Sequence, residues 1–123
     1  MILKEHFYTI TGIIHSNNAI HAIFQLNPEH AIFKGHFPGQ PVVPGVCMLQ
    51  MIKELLESAL GKMFRLSIGN ELKFLSVIDP TRNKLIHVEL NYTGEAAVGI
   101  TINARLFYNE TVFFKCKGVF VPE

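Results

Sequence analysis

An α+β domain, one long helix wrapped by a largely antiparallel sheet, is the fold class that this 123-residue sequence predicts. Three observations lead there. A single long helical segment stands between Pro44 and Gly61. Around it lie six segments rich in β-branched and aromatic residues that alternate apolar with polar side chains, two before the helix and four after it. The turns between those segments are too short for crossover connections, so neighbouring strands run antiparallel. Helix and sheet each carry an apolar face, and packing one on the other buries both.

The first element is a hairpin over residues 4 to 27. "FYTITGIIH" and "AIHAIFQL" are its strands and "SNN" its turn. "NPEH" breaks the pattern, and "AIFKGHFPGQPVVPG" reads as loop from its prolines and glycines. Pro44 falls where a first helical residue is expected and Gly61 where a helix stops, so the helix covers about residues 44 to 60. Val46, Cys47, Met48, Leu49, Met51 and Ile52 surround most of its first half, the mark of a helix buried on all sides. Its second half is amphipathic, with Lys53, Glu54, Glu57 and Ser58 outward. A single sheet rarely covers a helix so fully, and a homodimer is the expected assembly. "FRLSIGNELKFLSVI" follows as a long strand with a bulge or bend at Gly69. After the turn "DPTRN", three further strands, "KLIHVELNYT", "AAVGITINARLFY" and "TVFFKCKGVFV", are separated by "GE" and "NE".

Residues 1–123 form one domain, long enough for one modest core. Charged residues make up 17% and the net charge is +1, with no dense basic run, which argues against nucleic-acid binding. Lys53, Glu54 and Glu57 interrupt the longest apolar stretch, so no membrane span is expected. The strand-like N-terminus carries no cleavable apolar region, which points to a cytoplasmic protein. Cys47 and Cys116 show no zinc spacing and read as buried free thiols. The six histidines show no metal-ligand spacing, so neither metal nor cofactor is expected.

The chemistry concentrates in residues 33 to 61. The proline-glycine loop brings His36 close to the start of the helix. There the N–H groups around Gly45 and Val46 lack intrahelical partners and form the positive end of the dipole. Gly45 has no side chain, so a ligand can approach its amide. A base beside fixed N–H donors suits removal of the α-proton of a thioester, whose carbonyl oxygen gains charge as the proton leaves. Local chemistry leaves plainer readings open: His36 as a loop residue bonded to backbone, and Gln50 as the first residue of a solvated helix stripe.

"GHFPGQPVVPGV" resembles the signature of the β-hydroxyacyl-acyl-carrier-protein dehydratases, hot-dog-fold enzymes of bacterial fatty-acid synthesis and related polyene pathways. His36, Phe37, Pro38, Gly39, Pro41, Pro44, Gly45 and Val46 stand in register with it. Weaker similarity runs through "NPEHAIFK" and "ELKFLSVIDPTRNKLIHVEL", covering about residues 8 to 120. Larger members carry an extra N-terminal segment, so this chain resembles a minimal member. The resemblance implies a hot-dog fold, a long central helix wrapped by a curved antiparallel sheet, with active sites at the interface of paired subunits. It also implies that His36 abstracts the α-proton of a 3-hydroxyacyl thioester and that the Gly45 amide supports the carbonyl. The family places Glu or Asp fourteen residues after the histidine to handle the departing hydroxyl. This chain has Gln50 there.

An amide keeps the reach of Glu but is neither acid nor base. Three outcomes are open. Gln50 holds the hydroxyl or a water while His36 returns the proton it took; or Glu54, one turn on, supplies the carboxylate; or the chain binds acyl thioesters without dehydrating them, paired with a competent relative. Phe33, Phe37, Met48, Met51, Phe64 and Phe74 are candidates for an acyl tunnel, and ordinary core packing explains each of them as well. The implied partners are an acyl carrier protein bearing a 3-hydroxyacyl chain, and a second subunit in a homodimer, a higher oligomer or a heterodimer with a related chain. Three functions follow: dehydratase, acyl-thioester-binding partner subunit, and acyl thioesterase of the same fold.

Overall fold

The computed structural model describes residues 2–35 and 39–123. His36 and Phe37, two of the residues singled out above, lie outside the described residues. Six strands form one sheet: β1 (Tyr8–Ser16), β2 (Ala19–Leu26), β3 (Phe64–Phe74), β4 (Leu85–Glu95), β5 (Gly99–Tyr108) and β6 (Thr111–Pro122). Their order is β1-β2-β4-β5-β6-β3, with every neighbouring pair antiparallel. The long helix α2 (Gly45–Leu60) connects β2, near one edge, to β3 at the other. The expected α+β arrangement is therefore present. A short helix, α1 (Ile32–Gly35), occurs inside the segment expected to be loop, where Phe33 is buried.

Alternation sets the core. Ile20, Ala22, Phe24 and Leu26 of β2, Ile86, Val88, Leu90 and Tyr92 of β4, and Ile100, Ile102, Ala104 and Leu106 of β5 are all buried. They occupy every second position, hence one face of the sheet. The helix supplies Cys47, Met48, Met51, Ile52, Leu55 and Leu56, a single apolar stripe. Each side chain fully removed from water along it contributes about 1.5–3 kcal/mol. Both cysteines are free and buried.

Turn chemistry holds the ends. Asn17 and Asn109 open the two-residue turns of the β1–β2 and β5–β6 hairpins with φ of 55° and 51°, a left-handed conformation that asparagine tolerates. Gly61 ends α2 with φ of 64°, and its N–H bonds back to Glu57 O. Register shifts flank Gly69 in the β3–β6 pairing, the irregularity expected there.

Two expectations need correction. The first hairpin begins at Tyr8 rather than residue 4, because residues 3 to 8 form a tight turn: Phe7 N–H donates to Leu3 O, and Glu5 takes φ of 71°. In a single chain the sheet reaches one stripe of α2 only, and Val46 in its first half is 63% exposed. Glu54, expected on the outward face, is 6% exposed. The N-terminal turn folds over the helix and takes Glu54 out of solvent.

Candidate active site

The first intrahelical bonds of α2 are donated by Cys47 and Met48 to Pro44 O, so the N–H groups of Gly45 and Val46 precede the helical ladder. Pro44 sits at the cap with extended backbone, φ −61° and ψ 146°, and provides no capping side chain. The loop ahead of the helix is held by Val43 N–H donating to Ile78 O at 2.9 Å. That bond ties the loop to the segment following β3 and leaves an apolar cleft between them. The cleft encloses about 510 Å³, with Val43, Pro44, Gly45, Met48, Phe74 and Val77 among its walls.

Gly45 is where the cleft depends on a missing side chain. A Cβ built there would lie 2.6 Å from Cε1 of Phe74, so the ring rests on the glycine backbone. Phe74 in turn stacks on Phe114 with centroids 4.8 Å apart. Among the tunnel candidates, Met48 and Phe74 thus meet Gly45 in this cleft. Phe64 does not line it: its side chain is fully buried in the core. Phe33 and Met51 are buried and also stand apart from the cleft walls. Two backbone N–H groups beside an apolar trough can hold a polarised carbonyl oxygen while an alkyl chain occupies the trough.

Gln50 does not face that cleft. It borders a second one of about 410 Å³, shared with Lys4, Lys53, Glu54, Glu57 and Ser58. Its Nε2 donates to Glu54 Oε2 at 2.7 Å. The same carboxylate accepts the backbone N–H of Leu3 and of Lys4, each at 2.8 Å, and the Tyr8 hydroxyl at 2.9 Å. Burial, and then the Glu54 carboxylate, push the Tyr8 phenol above its ordinary 10.0. The same two causes, in the same order, raise the Cys47 thiol.

Glu54 and Tyr8 are the residues that sequence reasoning misjudged or missed. Glu54 lies seven positions after Cys47 and three after Met51, helical spacings that put it on the buried stripe. That signal was available. Nothing local marks Tyr8 and the N-terminal turn, which reach Glu54 across 46 or more residues. Among the described residues no cluster of His, Cys, Asp and Glu is suited to a metal ion, and no helix is long and apolar enough to cross a membrane.

Comparison with known proteins identifies the family and the fold. Residues 13–106 match the family model described as ApeI-like, ApeI dehydratase. The 3-hydroxyacyl-acyl-carrier-protein dehydratase FabZ of Novosphingobium aromaticivorans is 23% identical over 113 residues, covering 78% of this chain and 72% of that protein. The FabZ of Haemophilus influenzae is 35% identical over 63 residues, 51% of this chain but only 42% of that protein's length. In structure, the chain resembles one from the dehydratase heterocomplex ApeI:P of Xenorhabdus doucetiae with a TM-score of 0.73 at 18% identity, covering 93% of this chain and 97% of that one. The fold is the hot-dog fold.

Proposed function

The chain belongs to the ApeI-like dehydratase family, and from that premise we propose that it removes water from 3-hydroxyacyl thioesters carried by an acyl carrier protein, in fatty-acid or related polyene synthesis. What carries the reading is the family match across residues 13–106, which includes the motif around His36 and the whole of α2. The apolar cleft that Gly45 helps to line supports it.

In the proposed reaction, His36 takes the α-proton while the N–H groups of Gly45 and Val46 bear the charge that develops on the thioester oxygen. The electron pair left at Cα forms the new double bond and the Cβ–O bond breaks. Gln50 borders a different cleft of its own chain, so in this reading it reaches the hydroxyl or a water from a paired subunit, and as an amide it is neither acid nor base. The proton gained by His36 therefore returns to the departing hydroxide and water leaves, a one-base elimination. Met48, Phe74 and Phe37 would line the acyl channel, and neither a metal nor an organic cofactor takes part.

The reverse reaction gives the test. Hydration of an enoyl thioester, followed by loss of its conjugated absorbance, should be lost in His36→Ala. Equal rates in the variant and the wild type would defeat the base assignment.

A second reading is favoured by one observation, that a structural neighbour is a chain of a dehydratase heterocomplex. With Gln50 where a carboxylate is usual, this chain would be the acyl-binding subunit of a pair, and a related chain would supply the acid. Co-expression with a relative carrying Glu or Asp at that position should then yield a stable complex whose activity exceeds that of either chain. Release of free thiol from acyl thioesters would instead point to a thioesterase.

A further inference from the structure

We propose that Glu54 is a positioning residue that fixes which end of the Gln50 amide is turned to the substrate, an inference that rests on the dehydratase reading above. A carboxylate offers only acceptors. Both Glu54 oxygens are engaged, Oε1 by the Lys4 N–H and the Tyr8 hydroxyl, Oε2 by the Leu3 N–H and Gln50 Nε2. With the Gln50 amide reversed, its oxygen would stand 2.7 Å from a carboxylate oxygen, exchanging an attraction for a repulsion. At that distance the bond is in the charge-assisted range. The N–H₂ end therefore faces Glu54, and the carbonyl oxygen is turned the other way.

The consequence is chemical. Position 50 presents an acceptor, which can take a hydrogen bond from the substrate 3-hydroxyl or from the water added in the reverse direction. It holds that group in place without protonating it. The proton for the departing hydroxide is left to His36, the route proposed above. The device also extends beyond the helix. The turn at residues 3 to 8 packs over Glu54 and supplies three of the four donors to its carboxylate, so a segment far from the motif in sequence sets the orientation of a residue in the site.

The chain has three glutamines, Gln25, Gln40 and Gln50, so selective ¹⁵N-glutamine labelling gives a side-chain amide spectrum that Gln50→Ala assigns. In wild type, one Gln50 N–H should exchange with water more slowly than those of the exposed Gln25 and Gln40. Glu54→Ala should abolish that protection, and Tyr8→Phe, which removes a different donor to the same carboxylate, should keep it. An unprotected Gln50 amide in wild type would overturn the proposal, whether or not Glu54→Ala folds. So would protection that survives Glu54→Ala, or that is lost equally in Tyr8→Phe.

Enoyl thioester hydration supplies the second readout. Glu54→Gln should lower kcat by about ten- to a hundred-fold, as misplacement of a substrate-holding group does. It should leave the pH–rate profile unchanged in shape, because Glu54 moves no proton. Disappearance of a limb of that profile would make Glu54 the proton-transfer group and overturn the positioning role. The amide experiment needs no turnover, so failure of the dehydratase reading and failure of this one register separately.

Discussion

Position 50 holds glutamine beside a buried anion, and that neighbour decides what a carboxylate would do there. In Gln50→Glu, two carboxyl groups would face each other where an N–H now meets an oxygen at 2.7 Å. Like charges at that separation cannot both ionise, so the folded pair keeps one proton. Below about pH 4 the unfolded chain holds that proton too, and the variant carries no electrostatic penalty. At higher pH the unfolded chain releases a proton that the folded pair retains, so stability falls as pH rises. Thermal melts of the variant and wild type should therefore diverge between about pH 4 and about pH 8; a pH-independent difference would refute the pairing. Gly45 offers a second prediction at this scale. The clash of Gly45→Ala is with the rim of the Phe74 ring, the far end of a side chain that is 56% exposed. The ring can swing into solvent, so the loss of stability should stay within about 1–3 kcal/mol. The cleft loses its wall, however, and KM for long-chain enoyl thioesters should rise more than for short ones. Equal effects on both chain lengths would detach Phe74 from the acyl channel.

At the scale of elements, α2 and the strands were legible because their signals are local. Pro44 and Gly61 bracket the helix to within a residue, and period-two burial in β2, β4 and β5 follows the written alternation. What could not be read were contacts made across the chain. The turn at residues 3 to 8 looks like strand, and only its packing over Glu54 explains why it bends back. The same blindness misplaced Glu54, whose charge outweighed its place in the apolar stripe. In the site, Gly45, Met48 and Phe74 were each singled out, but nothing in their spacing showed that Phe74, on a distant strand, rests on Gly45. Phe64, equally aromatic and ten residues earlier, faces the core instead. The stripe itself makes a sharp prediction. Leu55 is fully buried, so Leu55→Ala should cost about 2–5 kcal/mol in denaturant unfolding, from lost burial plus the cavity left behind. A loss well under 1 kcal/mol would mean that the helix is not clamped as described. Cys116, also buried, should resist thiol reagents in the native protein, since burial pushes its thiol up to about 11. An acid raised in the folded state stabilises less as pH climbs, so unfolding should become easier above the ordinary thiol value of 9.0.

For the whole molecule, the strand order leaves two sheet edges, β1 and β3, and they are not equivalent. Along β3 and the segment after it, Ile68, Leu72, Phe74, Leu75 and Val77 are between 40% and 65% exposed. Three of these, Phe74, Leu75 and Val77, also wall the apolar cleft. An edge strand with unpaired backbone and apolar side chains is a pairing template, and a protein that leaves one open invites aggregation. Val46, 63% exposed at the start of α2, adds to the apolar surface that one chain cannot cover. A second subunit paired along β3 would bury this surface, and the cleft would gain a wall from the partner. Pairing along β1 would do neither, although Ile13 and Ile14 are exposed there too. Sedimentation should therefore give a mass near twice the 13.9 kDa of the chain for wild type and for Ile13→Lys. Ile68→Lys places a charge in the proposed seam, where burying it unpaired is costly. That variant should sediment near 13.9 kDa and lose enoyl thioester hydration together with the partner. A monomeric wild type, or an Ile68→Lys dimer with full activity, would remove β3 as the interface.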